Sequence, residues 1–495
     1  MKMLDFAVSM TMEYINSMPK EQRKKHGQFF TSKETAIFMA ELFNIPDGCQ
    51  KISILDPGAG SGILSIALLE RLQTCSNINE IDLICYENDQ NIIELLKKNL
   101  AVVCRQLKKK VTYRIICANY ILSQKNDYNF MLDINPGLEK FDIVIGNPPY
   151  IKIAKNAPEA LAMPDICYGA PNLYFLFMSM SMFNLKNGGE LVYIIPRSWT
   201  SGAYFKKFRQ KLFNEGVIQN IHLFVCRDKV FEKESVLQET IIIKMKKTRV
   251  HPQMVTISTT RSNADFSKKT IFQAPYPIVV NGSNFYVYLV TSDNEIDVLN
   301  KLNTFKSTLP CLGLKMKTGL TVDFRNKNLL RNEAEKNAIP LFYPHHINNG
   351  KIIFPVGKGH EYLLVDHKGL IQPNKNYLFI KRFTTKEENR RLQCAVYLAK
   401  DFPEYSQIST QNKINFIDGT QDLSEYAVYG LYVLFNSTLY DCYYRILNGS
   451  TQVNSTEINS MPIPHFDIIE AMGRKLLSTS DMSEENCNNI LGRYI

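Results

Sequence analysis

Asn147-Pro148-Pro149-Tyr150 sets an amide, two ring-locked residues and a phenol in four consecutive positions. Neither proline has an N–H and each fixes φ, while Pro148 also keeps Asn147 out of the α region. Such a stretch is a stiff turn. It offers amide and carbonyl oxygens as acceptors outside any helix, beside an aromatic face. A second chemical stretch is Asp56-Pro57-Gly58-Ala59-Gly60-Ser61-Gly62. Its glycines let the backbone approach a ligand closely, and a following helix would present free N–H groups. A third is Glu87, an acid placed to accept hydrogen bonds from both ribose hydroxyls of a nucleoside. Each has a plainer reading, namely a rigid surface turn, a packing loop and a helix cap.

The elements around these residues decide. Phe141 to Gly146 reads as a buried strand that ends at the proline turn. Lys51 to Leu55 is a strand before the glycine loop, and Ile63 to Gln73 an apolar helix after it, the strand–turn–helix unit of nucleotide binding. Ile81 to Tyr86 is a strand ending at Glu87, with Asn88 or Asp89 free to cap the helix Gln90 to Val102. A third strand, Val111 to Cys117, ends at Asn119. All four sites thus fall at the carboxyl ends of strands, where open α/β sheets bind ligands. Upstream, Thr31 or Ser32 caps a helix from Lys33. Downstream, residues 151 to 170 form a long irregular loop, expected to be a lid or binding element. The helix Asn172 to Leu185 carries Met178, Met180 and Met182, expected in the core. A strand Glu190 to Ile195, a helix Ala203 to Phe213 and strands Ile218 to Val225 and Glu239 to Met245 complete the region. The basic run Lys244 to Arg249 marks its end, and short β-rich segments follow.

Composition bounds the class. A chain of 495 residues is expected to form two domains, here 1–249 and 250–495. Eleven cysteines without a C-x-x-C pair suggest reduced thiols and a cytoplasmic protein. The eight histidines lack metal-ligand spacing, so no metal is expected. No apolar run is long enough to span a bilayer. The net charge of +10 points to a polyanionic partner.

Taken in order, Gly27-Gln28-Phe29-Phe30-Thr31, Asp56 to Gly62 and Asn147 to Tyr150 resemble the motifs of DNA adenine-N6 methyltransferases of restriction–modification systems, in the gamma arrangement. Asn436-Ser437 and Asn448 to Asn454 resemble, more loosely, recognition domains related to type I specificity subunits. The resemblance implies a Rossmann-like, mostly parallel seven-stranded α/β sheet followed by a mixed α+β target-recognition domain. It implies S-adenosylmethionine as methyl donor, double-stranded DNA as substrate and a cognate restriction endonuclease as a further partner. Phe30 and Thr31 would contact the methionine end of the cofactor, Asp56, Gly58 and Gly60 would line it, and Glu87 would hold the ribose. Asn119 stands where the family carries an aspartate that bonds the adenine amine; its amide oxygen can accept that bond without charge. Asn147 and Pro148 would act on the target amine. Tyr150 and Phe231 would hold a flipped base.

Other classes fit less well. Protein glutamine N5-methyltransferases share Asn-Pro-Pro-Tyr but are shorter and lack a large basic carboxyl domain. A non-catalytic DNA-binding subunit would not need the intact motifs. The short stretch ahead of Gly27 leaves no room for an amino-terminal nuclease. Lys315, Lys317, Arg325, Lys381, Arg382 and Gln452 are of the types that read base edges and phosphates, but spacing alone does not assign them.

Overall fold

The computed structural model describes residues 3–17, 31–129, 140–224, 239–365, 368–385, 387–448 and 451–495. The chain divides into two compact units: Met1–Thr200 with Tyr204–Thr291, and Ser201–Ala203 with Ser292–Ile495.

The first unit is built on one sheet. Its strands are β1 (Lys51–Asp56), β2 (Glu80–Glu87), β3 (Lys110–Cys117), β4 (Phe141–Gly146), β5 (Leu185–Pro196), β6 (Val217–Phe224), β7 (Thr240–Lys246), β8 (Met254–Thr260) and β9 (Thr270–Pro275). They lie in the order β3-β2-β1-β4-β5-β7-β6-β8-β9. The first five are mutually parallel, and β7 runs antiparallel to β5 and β6. The reversal of strand order beside β1 is the topological switch at which such sheets open a crevice. Seven strands match the expectation; β8 and β9 extend it. β8 pairs parallel with β6, and β9 antiparallel with β8.

That pairing moves the expected boundary from 249/250 to 291/292. The basic run taken as a domain end is in part a strand. Lys244 lies inside β7, fully buried and 3.0 Å from the buried Glu190 carboxylate. Lys244 points into the sheet packing towards its partner, and Lys246, two residues on, stands at the strand's half-exposed end.

Helices flank the sheet: α1 (Met3–Ser17), α2 (Lys33–Glu41), α3 (Ile63–Gln73), α4 (Gln90–Gln106), α5 (Pro158–Ala162), α6 (Leu173–Asn184) and α7 (Lys206–Glu215). Three begin at side-chain caps that satisfy otherwise orphaned N–H groups: Ser32 for α2, Asp89 for α4 and Asn172 for α6. Met178, Met180 and Met182 of α6 are fully buried, as expected. One core joins α1 to α4 with β1, β2, β4 and β5. Asp142, the one acid of β4, bonds Ser53 of β1 through its N–H (2.9 Å) and hydroxyl (2.7 Å), and takes Lys186 at 2.8 Å.

The second unit holds a six-stranded sheet and a five-stranded sheet. Helices Glu425–Phe435 and Phe466–Thr479 pack through glycine: a Cβ on Gly430 would fall 1.8 Å from the Ile469 carbonyl oxygen, and one on Gly473 1.8 Å from that of Tyr426. His345, His346 and Glu361 converge here, although their spacing gave no metal signal. His346 Nδ1 accepts the Tyr343 N–H, so its Nε2 carries the hydrogen donated to Glu361 at 2.7 Å. Glu361 also accepts the N–H groups of Val356 and Gly357. His346 and Glu361 thus form a hydrogen-bonded clasp, and His345 Nε2 stands 3.6 Å from the same carboxylate. Among the described residues, no helix is long and apolar enough to cross a membrane.

Candidate active site

The carboxyl ends of β1, β2, β3 and β4 open into one cavity of about 290 Å³, at the small end of the roughly 300–1,000 Å³ usual for ligand clefts. Each strand contributes the residues that follow it: Gly58, Gly60 and Ser61 from β1, Glu87 and Asn88 from β2, Asn119 and Tyr120 from β3, Asn147 and Pro149 from β4. Thr31 joins from the segment before α2, Ile92 from α4, Glu159 from α5, and Leu173 and Phe177 from α6.

At the β4 end the Asn147 amide is oriented by two neighbours. Its nitrogen donates to Thr31 Oγ1 at 3.2 Å, and its oxygen lies 2.9 Å from the Tyr150 hydroxyl. That hydroxyl is also 2.9 Å from the Ile194 carbonyl of β5, so its one proton is shared between two acceptors. Burial raises the Tyr150 pKa well above that of a free phenol, which keeps the hydroxyl a donor. The Tyr150 ring meets Tyr174 edge-on, with centroids 6.3 Å apart. Pro148, between the lining residues Asn147 and Pro149, is buried, and no backbone N–H of the described residues bonds its carbonyl.

The glycine loop is tight. Gly60 and Gly62 both adopt positive φ, +53° and +86°, and a Cβ on Gly62 would fall 2.8 Å from Leu96 of α4. Asp56 is not on the wall. It is fully buried behind the loop, where Ser65 of α3 donates to its Oδ2 at 2.7 Å. Burial first, and Glu87 nearby, push its carboxyl up to about 7. Ser65 and the backbone oppose this. The expected lining role therefore passes to the glycines, and Asp56 holds the loop to the helix.

Glu87 lines the cavity as expected, but it is not free. Its Oε2 accepts the Gly60 N–H at 2.9 Å, and its Oε1 accepts those of Asn88 and Asp89 at 2.9 and 3.0 Å. Burial raises its pKa and the three N–H groups pull it back. Asn119 also differs from expectation. Its oxygen caps the turn Tyr120–Ser123 by accepting the Leu122 N–H at 3.1 Å, and its nitrogen donates to Glu159 Oε1 at 2.7 Å. Glu159, Ile92 and Phe177 carry no spacing signal that sequence reading uses; the long loop after Tyr150 was the sole hint of the first. Phe30 and Phe231 lie outside the described residues.

In the second unit, Lys317 pairs with Asp418 at 2.6 Å. Arg382 donates to the Asn412 carbonyl at 3.0 Å and sits over the ring of Phe383. Arg325 sits over Phe324, whose ring is 70% exposed. Asn448 and Asn454 both donate to the buried Glu457.

Comparisons with known proteins agree with this architecture. The family model described as Eco57I restriction-modification methylase matches residues 73–231. The chain is 33% identical over 491 residues to the type II methyltransferase M.PstI of Providencia stuartii, spanning 96% of this chain and 94% of that one. It is 32% identical over 479 residues to the type II methyltransferase M.BsuBI of Bacillus subtilis, spanning 95% and 92%. Among solved structures it shares the fold of the type IIL restriction-modification enzyme MmeI in complex with DNA. The TM-score is 0.56 at 13% identity, over 96% of this chain and 69% of that one.

Proposed function

The chain belongs to the methyltransferases of restriction–modification systems, and from that membership we propose that it methylates the N6 amine of adenine at a defined site in double-stranded DNA, with S-adenosylmethionine as donor. The first unit would carry the transfer and residues 292–495 the choice of site. A cognate endonuclease would read the same sequence.

The oriented amide of Asn147 carries the reading. The adenine amine is a poor nucleophile because its lone pair is delocalised into the ring. It needs acceptors on its hydrogens more than it needs a strong base. The Asn147 oxygen, shared with Tyr150, and the Pro148 carbonyl are the proposed acceptors. They would draw the nitrogen towards tetrahedral geometry and return the lone pair to it. The carboxylates lining the cavity, Glu87 and Glu159, belong to the β2 and β3 ends, which suits a site without a general base at the amine.

The cavity also fits the donor's chemistry. S-adenosylmethionine, when bound, supplies a methyl group on a positively charged sulfur. Thr31, Gly58 and Gly60 would face its amino-acid and sulfur portions, Glu87 its ribose, and Ile92 and Phe177 the faces of its base. A duplex base must leave the stack to reach this cavity, at a few kcal/mol. Stacking on Tyr150 and Phe231 would return roughly 1–3 kcal/mol per base.

Long-read mapping of modified bases in cells expressing the chain tests the proposal. N6-methyladenine should recur at one sequence and vanish with Asn147→Ala. Modified cytosine, or modification that persists in Asn147→Ala, would overturn it.

A further inference from the structure

The loop that leaves the Asn147 turn returns to the far end of the cavity. Its base is closed by two hydrogen bonds, Ile153 N–H to the Pro171 carbonyl and Leu173 N–H to the Ile151 carbonyl, both 2.8 Å, and by an antiparallel bridge between Lys152 and Asn172. Between these points α5 brings Glu159 against Asn119, at the end of β3. In the strand order β3-β2-β1-β4 this lies three strands from Asn147, about 14 Å at the usual spacing of roughly 4.8 Å. A ligand reaching from one end to the other has its transferable group near Asn147 and its opposite terminus near Glu159.

The wall at that terminus combines apolar Ile92, Ala118 and Phe177 with three polar side chains, Asn88, Asn119 and Glu159. Asn119 has a settled use for both ends of its amide. Because Leu122 can only donate, the Asn119 oxygen is the capping atom, and its nitrogen must face Glu159. The Asn119 contact engages Oε1 of Glu159, and no hydrogen bond of the described residues engages Oε2. Glu87, the other lining carboxylate, is turned to three N–H groups of its own neighbourhood.

We propose that Glu159 receives the exocyclic amine of the donor's adenine, and that Asn119 is the positioning residue that aims it. This inference rests on the methyl-donor reading above. A carboxylate accepting from an amine makes a charge-assisted bond, stronger than one to a neutral amide. It also rejects a ring carrying oxygen at that position, because two acceptors then face each other.

Calorimetric titration of the full chain with S-adenosylhomocysteine and with S-inosylhomocysteine, in which an exocyclic carbonyl oxygen replaces the amine, tests this. Wild-type protein should prefer the adenosyl ligand by roughly tenfold or more. Glu159→Ala should bind the adenosyl ligand roughly tenfold more weakly and lose the preference, with an unchanged melting temperature. Glu159→Gln, whose amide can turn its N–H to that carbonyl oxygen, should bind the inosyl ligand more tightly than wild type does. Retained preference in Glu159→Ala, or parallel weakening of both ligands, overturns the inference and leaves the methyl-donor reading standing. Wild-type protein that binds neither ligand overturns that reading and this inference together.

Discussion

In the proposed reaction Tyr150 would have two separable tasks within one side chain. Its ring was expected to stack on the target base, whereas its hydroxyl is 2.9 Å from both the Asn147 oxygen and the Ile194 carbonyl. Tyr150→Phe keeps the ring and removes the clamp on the amide. A net hydrogen bond of about 0.5–1.5 kcal/mol corresponds to a slowing of roughly two- to tenfold, with base stacking intact. Tyr150→Ala should slow transfer well beyond that; radiolabelled methyl transfer to DNA distinguishes the two. Asp56 yields a pH prediction. Its carboxyl is raised to about 7 in the fold, by burial above all, against about 3.9 in an open chain. Between these values the folded state holds more protons than the unfolded one, so Asp56 lowers stability progressively as pH rises from about 4 to 7. The loss is complete above pH 7. Asp56→Asn keeps an acceptor for Ser65 and should remove this slope, up to roughly 1.4 kcal/mol per pH unit, measured by urea unfolding at pH 5, 6 and 7.

Secondary structure near the site was legible because strand ends and caps are local. Pro-Pro, the glycine cluster and Asp89 announce themselves in a few consecutive residues. What those groups bond to was not. Glu87 looked available because Asp89 could cap α4; the cap is indeed Asp89, yet the carboxylate folds back on Gly60 and its own strand end. The same limit hid β8. Its pairing with β6 is non-local, and a lysine-rich stretch resembles a linker until alternation buries Lys244 against Glu190. His222 makes the pairing concrete. It lies on β6 with its ring nitrogens 2.8 Å from Ser258 and 3.1 Å from Thr260 of β8. A fragment ending at residue 249 leaves that histidine without both partners and exposes the β6 edge, so it should aggregate, while one ending at 291 should stay monomeric in size-exclusion chromatography. In the second unit, Gly473→Ala drives a methyl into the Tyr426 carbonyl. It should destabilise the chain by about 1–3 kcal/mol or more, read as a lower urea midpoint.

For the molecule as a whole, the charge of +10 bears on DNA binding more than on fold. If six or more phosphates are neutralised, affinity for duplex DNA should fall by roughly a thousandfold or more between about 50 and 200 mM salt, measured by fluorescence anisotropy. A fragment of residues 1–291 should keep its affinity for S-adenosylhomocysteine and lose sequence preference. Motif order led to the first unit because its chemistry needs particular residues at particular strand ends. The second unit offered less, since reading residues are ordinary cations and amides. Of the residues of suitable type, Lys317 is paired with Asp418 and Arg382 is tied to Asn412 and Gln452.

The break at Thr291/Ser292 has a consequence for inheritance. Apart from Ser201–Ala203, the second unit is one uninterrupted stretch of chain. If it chooses the target, a single genetic exchange at that junction would carry a whole specificity into a new lineage and leave the chemistry of transfer untouched. A strain that gained such a hybrid without its matching nuclease would acquire a new pattern of marks on its genome, and with it no new immunity.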